Sequence, residues 1–283
     1  DSNSAIDLAS TQDSIYYDGL DVQLVVNGDA IFPMERVLGE EVGLNKEDGV
    51  FATEPHVLYK IDQDQIDLAA GDVVQLQIDR GNGLPLVTAQ TQMVGSVSEI
   101  TNPRRLNTGG REFVNFISPN GARFSWRGSI NGHIYDMRLG IVYREFAVNN
   151  PSLFEEKRIE LEADNDILND TIGTPIIGPA IPGSDFIGIS QDRFYSFVGG
   201  SIETIEGIAR DFIRLEIIIT GGSKEFIEIF DVANANTGIT SSQEIPIFTN
   251  ISEGRGVFAS RNQDLLNVQI SGSSLDSLQN GRF

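Results

Sequence analysis

The stretch from Tyr135 to Tyr143 reads Tyr-Asp-Met-Arg-Leu-Gly-Ile-Val-Tyr. Apolar side chains occupy every second position of this stretch, and Asp136 and Arg138 stand between them. Because successive side chains of a strand point to opposite faces of a sheet, this period of two predicts a strand with one buried and one exposed face. Such strands are typical of antiparallel sheets, so the fold class follows from this stretch.

The same period of two recurs along most of the chain. The single tryptophan, Trp126, stands one predicted strand before Tyr135, as in the core of an immunoglobulin-like or fibronectin-like sandwich. We therefore predict a mainly β protein made of two antiparallel β-sandwiches. The other alternating segments lie at 22–26, at 74–78 with a hairpin partner over 87–93, at 124–126, and at 213–219 ahead of Gly221-Gly222.

Two segments change to helical spacing. Ser190 and Ser223 can each cap a helix, and the apolar residues that follow recur at intervals of three and four. We predict short helices near 190–199 and 223–236. The segment 164–188 is rich in Asp, Pro and Gly, which predicts a long loop.

A polar stretch that contains a proline, at 101–105, marks a predicted domain boundary. We expect a polar N-terminal tether over 1–19, a small β-sandwich over 20–100, and a larger sandwich-based domain over 101–283 that carries both helices.

The charge of the chain limits its partners. It has 41 acidic and 20 basic residues and a formal net charge of −21. Nucleic-acid binding depends on Lys and Arg that neutralise phosphates, so we exclude nucleic acid as a partner. The polar start from Asp1 to Ser4 is what the removal of an export signal and of a lipid-bearing cysteine would leave. We expect such a lipid anchor to be the only membrane attachment.

The sequence contains no signature of catalysis. There is no cysteine, His56 and His133 lack metal-ligand spacing, and neither a nucleophile elbow nor a phosphate loop occurs. We therefore predict a protein that is not an enzyme and has no cofactor. Tyr16, Tyr17 and Tyr59 lie outside the clear alternating strands, so they are candidates for stacking on a bound sugar; core packing is the other interpretation of aromatic residues.

Clustered carboxylates offer candidate calcium ligands in two places, one at Asp62, Asp64 and Asp67 and the other in the segment that begins at Asp164. Asp164, Asp166 and Asp170 provide hard oxygen ligands of the kind that calcium prefers. The segment lacks the glycine and the final glutamate of an EF-hand loop, and a solvated acidic loop is the other interpretation. Carboxylate pairs are too abundant in this acidic chain to single out two for glycoside hydrolysis.

The segment that begins at Pro246 contains the phrase Thr249-Asn250-Ile251 followed by Gly254-Arg255-Gly256-Val257-Phe258. It resembles the closing motif of a family of uncharacterised Bacteroidetes surface lipoproteins that are described as domains of unknown function. The strand at 71–78 and the stretch from Trp126 to Glu145 agree with this resemblance. The resemblance implies paired β-sandwiches, export, a lipid anchor and residence at the outer membrane or cell surface. It implies no catalytic residue, and the motif also has a structural interpretation, in which its glycines form a tight turn and Phe258 and Ile251 fill the core.

Three functions remain open at this point. The first is a non-enzymatic surface lipoprotein that binds a glycan or docks on an outer-membrane nutrient transporter. The second is a structural or adhesive module of the stalk or fimbrial type, which would expose an unpaired sheet groove. The third is a glycoside hydrolase.

Overall fold

The computed structural model describes residues 17, 19–46, 55–97, 99–168, 186–236 and 247–281, without the side chains of 164–168, 230, 233–236, 280 and 281. The described part is mainly β with several antiparallel sheets and three short helices, so the predicted fold class is confirmed. The strands are β1 (Asp21–Val26), β2 (Ala30–Pro33), β3 (Glu35–Leu38), β4 (Val57–Lys60), β5 (Val73–Asp79), β6 (Val87–Gln92), β7 (Glu99–Asn102), β8 (Ala122–Arg127), β9 (Ile134–Ala147), β10 (Phe154–Leu168), β11 (Ile187–Ile189), β12 (Ile208–Gly222) and β13 (Arg261–Val268). The α-helices are α1 (Gln191–Ser201), α2 (Lys224–Asn236) and α3 (Gly272–Gly281), and a 3₁₀ helix spans Gly39–Val42.

The chain divides into two compact units. Unit 1 comprises residues 1–93 and 228–259. Its described strands form an antiparallel sheet in the order β2-β1-β5-β6 and the pair β3-β4. The predicted hairpin of β5 and β6 is present, with Val74 opposite Thr91. Its core is small, because only Leu24, Val26, Ile66 and Val74 form the buried cluster among the described residues.

Unit 2 comprises residues 94–227 and 260–283. It contains an antiparallel sheet in the order β10-β9-β12-β13 and a second sheet in the order β11-β8-β7. Both sheets contribute to one large hydrophobic core, and α1 and α3 add side chains to it, as expected for a sandwich-type fold. Members of this core without exposed surface include Phe116, Met137, Leu139, Ile141, Ile189, Phe194, Leu215, Ile217 and Ile219.

Two of the helices lie where the sequence predicts them. α1 begins after Ser190, whose hydroxyl accepts a hydrogen bond from the Arg193 N–H at 3.2 Å, and α2 begins after Ser223. The third helix, α3, lies outside the prediction because its segment is rich in Ser and Gly and its apolar side chains are only Leu275 and Leu278. No helix in the described ranges has both the length and the apolar content that are needed to cross a bilayer.

Two predicted strand boundaries are corrected. β12 does not stop before Gly221-Gly222, because both glycines pair with β9. A Cβ at position 221 would lie 3.0 Å from the Tyr135 ring and one at 222 would lie 2.9 Å from the Phe226 ring, so neighbouring aromatic rings fill the space that the glycines leave. The predicted loop over 164–188 begins and ends in strand, since β10 extends to Leu168 and β11 begins at Ile187. The segment between them, 169–185, lies outside the described residues.

The bounds of the two units differ from the predicted domains 20–100 and 101–283. The first segment of unit 1 ends at Met93, whereas the predicted domain continues to Ile100. Unit 1 also contains a second segment, residues 228–259, from the C-terminal part of the chain. This return cannot be seen in local patterns, because it depends on long-range bonds such as the one from the Asn250 amide to the Gln90 carbonyl at 3.2 Å. Of the predicted tether over 1–19, only Tyr17 and Gly19 are described.

Candidate functional site

The β9–β10 hairpin of unit 2 ends in a turn that carries several apolar side chains. Phe146 and Phe154 lie opposite each other where the hairpin closes. β12 begins beside this turn, since the Val148 N–H donates a hydrogen bond to the Gly207 carbonyl at 2.9 Å. The ends of β9 and β10 and the start of β12 therefore lie side by side at one end of the sheet.

The apolar side chains at this end are exposed. The exposed fraction is 74% for Leu153, 62% for Val148, 51% for Phe154 and 47% for Ile205. Single exposed apolar residues are common on protein surfaces, but neighbouring ones mark interaction sites. We call Phe146, Val148, Leu153, Phe154 and Ile205, together with Arg144, the hairpin-end patch.

Arg144 organises the outer face of the patch. Its guanidinium lies 5.6 Å from the centre of the Phe146 ring and 5.7 Å from that of Phe154, which places it in cation–π range of both. Its Nε donates a hydrogen bond to Oδ2 of Asp211 at 2.8 Å. One arginine thus fixes the two aromatic rings of β9 and β10 and links them to β12.

A buried ion cluster ties the same three strands together on the opposite face of the sheet. Arg210, whose side chain is 4% exposed, bonds to Oε2 of Glu145 through Nη2 at 2.6 Å and Nε at 2.7 Å. Lys157 donates a hydrogen bond to the other oxygen of Glu145. The hydrogen bond from Lys157 lowers the pKa of Glu145 against the effect of burial, and Arg210 lowers it further. With ion pairs on both faces, the strand ends present the patch in a fixed geometry.

The rim of the patch is acidic. Glu156 lies opposite Arg144 in the register, on the face of Phe154, and pairs with Arg214 at 3.2 Å. Glu203 and Glu206 are exposed on the segment that carries Ile205. The nearby cations Arg144 and Lys157 are already bound to carboxylates. The arrangement is an apolar centre with two aromatic rings beside Arg144, and the exposed charges on the neighbouring segments are acidic.

The structure does not gather the predicted tyrosines into one site. Tyr16 lies outside the described residues. Tyr17 precedes β1 and is 54% exposed, whereas Tyr59 is half-buried in β4 opposite Arg36. The exposed aromatic side chain of the hairpin-end patch is Phe154 of unit 2.

The predicted calcium ligands are only partly described. Asp164 and Asp166 lie in the last part of β10, where Asp164 pairs with Met137 in the register, and their side chains are not described. Asp170 lies outside the described residues. Among the side chains that the structure does describe, no group of three or more His, Asp or Glu is placed to bind a metal ion.

Asn250 connects the closing motif to unit 1. Its Oδ1 accepts a hydrogen bond from the Phe258 N–H at 2.8 Å, and its Nδ2 donates to the Phe258 carbonyl at 2.7 Å. The amide side chain thus pairs with Phe258 as a neighbouring strand would. Phe258 itself packs against the core of Leu24 and Val74. This geometry is that of a structural clasp, not of an open binding site.

The remaining residues of the motif close a tight loop. The Thr249 hydroxyl accepts a hydrogen bond from the Gly256 N–H at 3.1 Å and donates one to the Gly256 carbonyl at 2.8 Å. Gly256 has φ of 149°, which favours glycine. Ile251 lies beside both glycines, because a Cβ at Gly254 or Gly256 would be 3.3 Å or 3.5 Å from its side chain.

Trp126 lies in the core of unit 2. It is 1% exposed, and its ring centre is 5.9 Å from that of Tyr135 in a tilted arrangement. The Tyr135 hydroxyl accepts a hydrogen bond from the Ser129 N–H at 2.7 Å. The indole Nε1 has no hydrogen-bond partner among the described residues. These contacts assign Trp126 to packing.

Comparisons of the chain with protein families, with curated proteins and with solved structures find no match. The hairpin-end patch therefore rests on its geometry in this structure. Sequence reasoning missed the residues of the hairpin-end patch because Phe146 is out of step with the apolar positions of 135–143 and Phe154 lies outside the predicted strands. The available signal was the run Val148-Asn149-Asn150-Pro151, in which turn residues directly follow an apolar side chain.

Proposed function

We propose that this protein is a non-enzymatic, exported surface protein that docks on another protein through the hairpin-end patch. The observation that carries the proposal is the group of exposed apolar side chains around Arg144. Protein interfaces are centred on a few buried anchors that are enriched in aromatic residues and arginine, and the patch has this composition.

A protein partner fits the patch better than a glycan does. A sugar ring stacks on a free aromatic face, whereas the guanidinium of Arg144 lies over both Phe146 and Phe154. Leu153 and Val148 extend the patch with aliphatic surface, which provides no hydrogen bonds for sugar hydroxyls. Apolar side chains of a protein partner would remove this surface from water, and each Å² of apolar surface buried in this way stabilises the complex by about 25 cal/mol.

The acidic rim defines the charge of the partner. Exposed Glu156, Glu203 and Glu206 favour a partner surface whose apolar centre is bordered by Lys or Arg. Complementary rim charges mainly raise the rate of association and exclude wrong partners, while the apolar centre slows dissociation.

The location and the identity of the partner rest on the resemblance of the closing motif. That resemblance supports a protein that is lipid-anchored at the outer membrane, and a nutrient transporter of that membrane as the docking partner. A free glycan is the second candidate ligand, and the test below separates the two.

The test is a gentle affinity purification of the tagged, lipid-anchored protein from native outer membranes. We expect one membrane protein to be recovered in near-equal amount with the unchanged protein. Leu153→Asp should reduce this recovery more than about tenfold, because it places a charge in the apolar centre. Ile31→Asp is the matched control, since Ile31 is also an exposed apolar residue, at 60%, and lies in unit 1.

Two results would contradict the proposal. One is equal recovery of the partner with Leu153→Asp and Ile31→Asp, with both variants showing unchanged thermal unfolding. The other is recovery of no partner together with saturable binding of an oligosaccharide that Phe154→Ser abolishes. The second result would assign the patch to a glycan.

A further inference from the structure

One edge of the four-stranded sheet in unit 2 has no partner strand among the described residues. Within the described residues, β13 pairs with β12 on one side and with no strand on the other. Just beyond its end, Val114 bridges in parallel to Ile270. The Val114 N–H donates to the Gln269 carbonyl at 2.9 Å, and its carbonyl accepts from the Ser271 N–H at 2.8 Å. The chain therefore already adds a strand-like residue to β13 at this point.

The bridge also indicates which backbone groups stay free. The N–H and C=O of one residue point to the same edge of a strand, and those of the next residue point to the opposite edge. Since Gln269 and Ser271 point toward Val114, the open edge presents the N–H and C=O groups of Asn267 and Leu265. Unpaired edge groups of this kind are a template for an added strand.

A cavity of about 680 Å³ lies along this edge. Residues 266–269 line it, and because consecutive side chains of a strand point to opposite faces, the cavity reaches the edge of the strand. Arg105, Leu106, Gly110 and Phe113 also line it. We call this cavity the edge groove.

The residues before Val114 that line the groove belong to a small hairpin. The Leu106 N–H donates to the Gly110 carbonyl at 2.7 Å, and the Glu112 N–H donates to the Arg104 carbonyl at 2.9 Å. Arg104 and Glu112 also form an ion pair at 2.9 Å. A chain that continued straight back from Val114 would lie along β13. The edge groove occupies the space between this hairpin and the strand.

The side chains of the groove favour a ligand that is both apolar and anionic. Phe113 is 66% exposed and Leu106 is 37% exposed, so they offer apolar contact. Arg105 lines the groove and has no ion-pair partner among the described residues. Arg111 is bound to the carbonyls of Ile100 and Pro103, and no carboxylate lines the groove.

We propose that the edge groove binds an extended peptide segment by strand addition to β13. The backbone of the peptide bonds to Asn267 and Leu265, an apolar side chain packs on Phe113 and Leu106, and a peptide carboxylate pairs with Arg105. This site is separate in sequence from the hairpin-end patch and does not depend on the proposed function.

The probe is a fluorescein-labelled hexapeptide with alternating valine and threonine, one central aspartate and an amidated end. Fluorescence polarisation should show saturable binding to the full chain below about 1 mM. Gly110→Trp should weaken it at least about tenfold, because Gly110 lines the groove and a side chain there meets no neighbouring atom that would prevent folding. Gly200→Trp is the matched control, since position 200 in α1 also meets open space.

Two modified peptides test the chemistry. N-methylation of alternate amides in one register should abolish binding, and methylation in the other register should preserve it, because only one set of amides faces β13. Arg105→Gln should weaken binding of the aspartate probe several-fold. A second probe has asparagine in place of aspartate and a free carboxyl end. It shows whether a terminal carboxylate can replace the aspartate side chain as the partner of Arg105.

The proposal is overturned if neither probe binds saturably up to about 1 mM. It is also overturned if methylation in the two registers changes the affinity equally, or if Gly110→Trp and Gly200→Trp do so. Leu153→Asp separates this site from the hairpin-end patch, because it should leave probe binding unchanged.

Discussion

The inner and outer faces of the four-stranded sheet in unit 2 use the same strands and different forces. On the inner face, Leu139 of β9 lies between Leu161 of β10 and Ile217 of β12 in the register. Leu139 and Ile217 have no exposed surface, and Leu161 is 7% exposed. This face is stabilised by burial of apolar surface and by close packing.

The outer face, one residue further along, is charged. Gly140 lies between Glu160 and Glu216, and Arg158 passes over it to bond with both, at 2.7 Å to Glu160 and 2.9 Å to Glu216. A Cβ at 140 would lie 2.9 Å from the Glu216 carboxylate and 3.0 Å from Arg158 Nε, so glycine provides the room for this crossing. The network continues from Glu160 to Arg138 and Asp136, and from Glu216 to Arg214 and Glu156.

The outer face nevertheless buries apolar side chains. Val142 is 1% exposed and Ile218 is 4% exposed, although both point to the charged side. Val142 lies between Arg158 and Arg214 in the register, so the aliphatic stems of the arginines cover it. A network of ion pairs across a sheet thus also acts as a packing layer. Charged residues between apolar ones do not guarantee that a face is fully solvated.

The largest effect that tests this comparison is expected on the inner face. Leu139→Ala should lower the free energy of unfolding of unit 2 by about 3 kcal/mol, because it opens a cavity in a close-packed core. The matched change on the outer face, Leu265→Ala at a residue 52% exposed, should cost less than about 0.5 kcal/mol. Urea unfolding followed by the fluorescence of Trp126, the single tryptophan, measures both. Equal costs would contradict the assignment of the core to the inner face.

A smaller effect is expected from the centre of the outer network. Glu216→Ala removes the shared partner of Arg158 and Arg214 and loosens the cover over Val142, which should cost about 2 kcal/mol. Glu216→Gln keeps a hydrogen-bond acceptor and should cost about 1 kcal/mol.

The control for this prediction is an isolated ion pair. Glu99 and Arg127 pair at 3.2 Å with side chains 54% and 48% exposed, so Glu99→Ala should cost less than about 0.5 kcal/mol. Both free energies of unfolding are measured again at high salt. There the cost of Glu99→Ala should fall more than the cost of Glu216→Ala, because salt screens exposed ion pairs more than half-buried ones. A Glu216→Ala cost as small as that of Glu99→Ala would show that the network does not act as a packing layer.

The sequence predicts one side of this comparison better than the other. The alternation in 135–143 and 213–219 is a local property, and it predicts the inner face because apolar side chains recur at every second residue. The crossing of Arg158 over Gly140 depends on which residues of β10 and β12 lie opposite β9, and that register is set by three strands far apart in sequence. Local patterns do not contain this information.

The same limit applies to the candidate sites. The tight loop at 249–258 could be predicted from the sequence, because its hydrogen bonds follow from residue types at short spacing. The hairpin-end patch and the edge groove could not, because both join segments that are separated along the chain: 144–154 with 205–211, and 105–113 with 266–269. The exposure of Phe154 is decided by where the hairpin ends, not by its place in an alternating strand.

The smallest expected effect concerns the end of the outer network, at Asp136. Its Oδ2 pairs with Arg138 at 2.7 Å, while its Oδ1 is buried without a hydrogen-bond partner among the described residues. Burial raises the pKa of Asp136 above its ordinary value of 3.8, and Arg138 opposes this only in part. Because the folded pKa is above the unfolded one, the contribution of Asp136 to stability is full below the unfolded pKa and is lost as pH rises through the folded pKa.

Asp136→Asn should therefore gain stability relative to the unchanged protein, by a few tenths of a kcal/mol, as pH rises from about 3 to about 7. Glu145→Gln should show the opposite slope. The pKa of Glu145 is lowered by Lys157 and Arg210, so its stabilisation is present above the unfolded pKa and is lost as pH falls through the folded one. Urea unfolding of both variants across this pH range measures the two slopes. Parallel slopes would mean that the carboxylate of Asp136 is paired as fully as that of Glu145, and that the outer network has no strained end.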